Sequence, residues 1–161
     1  MEIFQYKLYK IVGKEISKRI ILPLFLERIN IITSTIVLIR DKPVKNNKQI
    51  LIDLLKSEDL YFRSITFGTM LNEISNASYD SPTLYIILCG LFDVLENIKE
   101  ELTKINEKYD YINTSWYYYT VGWIYYSSNI DIHNLKENIG LLNERYKILL
   151  DTLSLLRNRG T

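Results

Sequence analysis

"SPTLYIILCGLFDVLENIKEELTKI", residues 81–105, is the stretch on which the fold class turns. Ser81 supplies a side-chain oxygen able to accept from the free N–H groups of a helix start. Pro82 occupies the first helical position, where a missing N–H costs nothing. From there Leu84, Leu88, Leu91, Leu95, Ile98, Leu102 and Ile105 step alternately by four and three residues. That rhythm returns each side chain to one face of a helix, a seam of heptad a and d positions with the charges collected elsewhere. Cys89 and Gly90 fall off the seam.

The same rhythm recurs near the C-terminus in Leu135, Ile139, Leu142, Tyr146, Leu149, Leu153 and Leu156. Asp131 or Asn134 is placed to cap its start, and "RNRG" ends it with cations and a glycine, as a helix terminus prefers. Two seams need partners. An all-α fold follows, an antiparallel helical bundle of about five to six helices in which short connections make consecutive helices neighbours. The chain of 161 residues reads as one domain over 1–161, with a basic part at 1–48 and heptad-patterned helices over 81–158.

Between the seams lies "NTSWYYYTVGWIYYSS", residues 113–128. Extending the first seam passes through Tyr109, Ile112, Trp116, Tyr119, Trp123, Tyr126 and Ile130, so these rings belong to the core of a helix. Asp110, Asn113, Thr114 and Ser115 are poor helix formers and predict a break there. A strand over the ring-rich stretch stays open, since Trp, Tyr, Thr and Val also favour sheets. Tyr117, Tyr118 and Tyr125 lie off the seam. Their hydroxyls want water or a partner, which makes them candidates for a partner interface.

The first half is less regular. Residues 2–20 form an amphipathic helix on a wheel, with Lys7, Lys10, Lys14 and Lys18 opposite Phe4, Leu8, Ile11, Val12 and Ile16. Pro23 is read as the start of a new element. Phe25, Ile29, Ile32, Ile36 and Ile39 keep helical spacing, yet the β-branched run "NIITSTIVLI" makes residues 20–39 equally compatible with a strand. Residues 40–48, "RDKPVKNNK", read as a loop, and the helix that follows is bent or divided near Ser57 and ends before "NASYDSP". As a membrane span, residues 20–39 would carry Glu27 and Arg28 at their centre, at a cost of roughly 2.5–3.5 kcal/mol each. A buried core element is expected instead, and no secretory signal opens the chain.

Composition adds context. The chain holds 24 Ile, 13 Asn and 13 Tyr but one Ala, Ala77, which points to an AT-rich genome, viral or microbial. The single cysteine, Cys89, rules out an internal disulfide and fits a reducing, cytoplasmic compartment. The net charge of +1 conceals a split. Residues 1–48 carry ten Lys/Arg against four Asp/Glu, whereas residues 49–161 carry ten against fifteen.

No catalytic, cofactor-binding or metal-binding constellation is legible. His133 is the only histidine, and neither HExxH, CxxC, a P-loop, GxGxxG nor GxSxG occurs. Nor does His133 follow closely on an arginine, since the nearest one upstream is Arg63. Cys89 reads as a packed, inert thiol. Glu96, Glu100 and Glu101, like Asp53 and Glu58, have helical spacing and read as a solvated face. The chain is therefore expected to be a non-catalytic assembly module, binding a protein partner or its own copies. The alternative is a nucleic-acid-binding accessory subunit. It would use Lys7, Lys10, Lys14, Lys18, Arg19, Arg40, Lys42, Lys45 and Lys48 on phosphates and stack bases on the off-seam tyrosines.

Overall fold

The computed structural model describes residues 14–41, 48–57, 59–76, 81–114 and 131–159, with side chains over 23–41, 51–56, 59–70, 73, 81–111 and 131–159. Among the described residues the chain is almost entirely helical and has no strand. The elements are α1 (Lys14–Asp41), α2 (Lys48–Ser57), α3 (Leu60–Asn76), α4 (Pro82–Thr114) and α5 (His133–Arg159).

Helix α4 organises the rest. Every residue of its seam from Leu84 to Tyr109 is buried. Tyr85, Cys89, Phe92, Val94 and Glu96 are buried too, so the covered arc is wider than a two-stranded seam. The physical reason is position: α4 packs most extensively on α5 and also on α1, and so needs two apolar faces. On α5, Leu135, Ile139, Leu142 and Leu149 are buried, with Tyr146, Leu153 and Leu156 packed against the core at partial exposure.

Helix α1 decides one open reading and corrects one expectation. Residues 20–39 are helical, not a strand, and Pro23 lies inside the helix rather than opening it. Tertiary packing overrides local propensity: Phe25, Ile29, Ile32, Ile36 and Ile39 all bury against α3 and α4. The two threonines of the β-branched run are satisfied within the helix. Thr33 Oγ1 donates to the Ile29 carbonyl at 3.0 Å and Thr35 Oγ1 to the Ile31 carbonyl at 2.7 Å. Pro23 is exposed, so its ring adds bulk only on the outer side, although it removes one backbone donor from the ladder.

Four rings cross the bundle. Phe92 of α4 meets Phe25 of α1 edge-on at 5.3 Å between centroids, Phe25 meets Phe67 of α3 at 5.7 Å, and Phe67 meets Tyr146 of α5 at 5.9 Å. One ring from each of α1, α3, α4 and α5 thus forms a continuous edge-to-face chain, each pair contributing about 0.5–1.5 kcal/mol beyond its buried area.

The contacts also show direction. Phe25 and Arg28 of α1 meet Phe92 and Glu96 of α4, advancing together along both chains. Arg63 and Phe67 of α3 meet Asn143 and Tyr146 of α5 in the same sense. These two pairs therefore run parallel and are not consecutive in sequence, so the neighbours of α1 are α3 and α4 rather than α2.

The turns follow the sequence closely. The break near Ser57 is made by Asp59, whose φ of 48° is left-handed, a conformation Asp tolerates better than most residues. Its N–H donates to the Lys56 carbonyl at 3.1 Å while its own carbonyl accepts from the Arg63 N–H at 3.0 Å, opening α3. Of the two cap candidates for α5, Asp131 serves: its Oδ1 accepts from the His133 N–H at 2.9 Å. Asn134 instead offers its carbonyl to Asn138 Nδ2. Ser81 precedes the first residue of α4, with its carbonyl 3.4 Å from the Tyr85 N–H.

Candidate functional site

The residues singled out for partner contact fall largely beyond what the structure describes. Tyr117, Tyr118 and Tyr125 lie outside the described residues, as do Lys7, Lys10, Lys42 and Lys45. Lys14, Lys18 and Arg19 belong to the first turns of α1 and Lys48 opens α2, with only their backbone described. Arg40, in the last turn of α1, is exposed and pairs with Asp41 at 3.2 Å.

One group of charges is brought together that the spacing did not reveal. Glu96 does not sit on a solvated face; its side chain is only 12% exposed. Arg28 Nε of α1 donates to one carboxylate oxygen, and Lys99 Nζ, one turn along α4, reaches the other at 2.5 Å. The Arg28 guanidinium carbon also lies 5.8 Å from the Phe92 ring centroid, a cation–π distance. Arg28 is the cation that makes residues 20–39 unfit for a bilayer. In the fold it turns inward and is neutralised, while Glu27 stays outside. Among the described residues no helix is long and apolar enough to cross a membrane. Only a long-range contact could have exposed this pairing, because the partners are 68 residues apart. Arg28 and Lys99 both donate to the Glu96 carboxylate, and Arg28 Nη1 also lies 3.7 Å from Glu27 Oε1, so the cluster ties α1 to α4.

The other titratable groups are dispersed. His133 is exposed at the start of α5, with Nε2 3.4 Å from Glu137 Oε1. Glu101 pairs with Lys104 at 3.0 Å. Cys89 is a buried free thiol. No group of three or more metal-ligating side chains occurs among the described residues. Arg145 of α5 donates to the Gly90 carbonyl of α4 and Arg63 of α3 to Asn143 of α5, so these cations tie helices together.

Apolar surface is distributed differently. Phe62 is 62% exposed, and Tyr61 and Ile65 beside it on α3 are exposed as well. On α5, Leu141, Ile148 and Leu155 project outward although the seam of the same helix is already packed. Sequence periodicity finds the seam but is blind to which second stripe the tertiary fold leaves uncovered. No protein-family model, curated protein or solved structure matches this chain.

Proposed function

We propose that the chain is a non-catalytic bundle of about five to six helices acting as a protein–protein interaction or assembly module, self-associating or held within a larger complex in a reducing, cytoplasmic compartment. The observation that carries this reading is the apolar surplus outside the core. Phe62, Tyr61 and Ile65 cluster on the outer side of α3 while Phe67 on its inner side fills the core. Scattered single apolar residues are ordinary on surfaces, whereas neighbouring ones mark contact sites. The off-seam Tyr117, Tyr118 and Tyr125 supply amphipathic rings of the kind enriched at interfaces.

Light scattering on the purified chain tests it. The expected result is a mass above that of one chain, falling in a Tyr118→Ala/Tyr125→Ala variant or a Phe62→Ser/Ile65→Ser variant. A single-chain mass at every concentration, identical in all three proteins, removes self-association from the proposal.

A further inference from the structure

Helix α5 carries a second stripe that its seam does not use. Leu141, Ile148 and Leu155 are 41%, 52% and 61% exposed and recur every seven residues. At 1.5 Å of rise per residue they form a line about 21 Å long, turned by about 100–140° from the buried row through Leu142 and Leu149. Each has a carboxylate four residues before it, on the same side of the helix: Glu137, Glu144 and Asp151. All three are exposed. Glu144 and Asp151 make no ion pair among the described residues, and Glu137 faces only His133. Lys136 and Lys147 lie beyond the acidic row, farther from the stripe. On the opposite flank, Arg145 is committed to the Gly90 carbonyl and Thr152 Oγ1 donates to the Ile148 carbonyl at 2.8 Å. The stripe is thus edged by an acidic row on one side; on the other, Arg145 and Thr152 are committed and Arg159, exposed in the last turn, adds a single cation at the stripe's end.

We propose that this face of α5 docks a helix of a partner protein that presents apolar side chains flanked by lysines or arginines. The charge of the edge selects the occupant. Phosphate-bearing partners, whether nucleic acid or an anionic membrane, would meet carboxylates. Pairing α5 with α5 of a second copy would set the acidic rows near one another. A basic amphipathic helix buries the stripe and neutralises the row at once, the groove mode of peptide recognition. This inference rests on the assembly reading and names the partner's chemistry.

The probes are a synthetic heptad peptide of leucine and lysine and its leucine–glutamate counterpart, each labelled and titrated with the full chain by fluorescence anisotropy. The lysine peptide is expected to bind, more weakly as salt rises, and the glutamate peptide not to bind. Affinity should fall by about tenfold or more in Ile148→Ser/Leu155→Ser and again in Glu144→Lys/Asp151→Lys. Both pairs are exposed, and far-ultraviolet circular dichroism verifies that each variant keeps its helix content. No binding, equal binding of the two peptides, or affinity untouched by both variants overturns the proposal. A wild-type oligomer that the Ile148→Ser/Leu155→Ser variant dissolves also overturns it, by placing a second copy on this face. Because sizing reads association of the chain and the titration reads the peptide, failure of the assembly reading and failure of this one are told apart.

Discussion

Tyr109 is the last seam residue of α4 whose side chain is described; its ring is fully covered, 0% exposed, and its hydroxyl is enclosed without a hydrogen-bond partner among the described residues. A buried hydroxyl left unpaired costs about 1–3 kcal/mol, whereas the ring itself contributes by packing. Tyr109→Phe keeps the ring and removes the unpaired group. Allowing for the small void left behind, it should stabilise the chain by about 1 kcal/mol. For a chain of this length that raises the melting temperature by about 3 °C. An alkaline arm sharpens the test. Burial pushes the phenol up from 10.0 to about 12, since the charged form cannot be solvated there. The folded state therefore prefers the neutral form. This preference leaves stability unaffected below pH 10 and withdraws it as pH rises toward about 12, by about 1.4 kcal/mol near pH 11. Urea denaturation followed by circular dichroism, in both proteins from neutral pH to about 11, should show the wild type losing that much relative to Tyr109→Phe. A destabilised Tyr109→Phe variant, or a difference between the proteins that does not change with pH, would refute the assignment of an unpaired, desolvated hydroxyl.

Three further outcomes are expected. Glu96→Ala strips Arg28 and Lys99 of their shared counter-charge at a site where both are about one-fifth exposed; it should cost about 3 kcal/mol, the low end for a buried pair because water still reaches the cations, read as a lowered urea midpoint. Gly140 lies within α5 with nothing within 4 Å of where a Cβ would stand, so Gly140→Ala should stabilise by about 1 kcal/mol through helix propensity alone, and a fall in melting temperature would contradict that open setting. Asp131→Ala removes the acceptor of the His133 N–H; a loss of about 1 kcal/mol is expected, and Asp131→Asn should restore most of it.

The two seams were legible because a heptad rhythm leaves few alternatives, and the helices appear where Leu84–Ile105 and Leu135–Leu156 place them. The start of α4 after Ser81 and the cap at Asp131 were readable for the same local reason: each needs only its next few residues. Residues 20–39 were not readable, because β-branched propensity and helical spacing disagree there, and packing between α3 and α4 settles the matter. The carboxylate reading failed at Glu96 for a related cause. Helical spacing alone cannot tell a solvated face from one covered by another helix, and the covering residue, Arg28, is remote in sequence. The exposed stripe on α5 is not legible in the sequence, because a row with one apolar residue in seven is too sparse to register as a seam. It matters only once the fold leaves Leu141, Ile148 and Leu155 exposed.

What the amino-acid order determines by itself is that long apolar stripes must be hidden by helices, and where most of those helices begin and end, since periodicity and capping are local properties. Which helices lie side by side, that α1 and α4 run parallel, and which stripe is left facing water were decided only in three dimensions. Those outcomes depend on rings and charges tens of residues apart meeting across the bundle, and no short-range pattern encodes them.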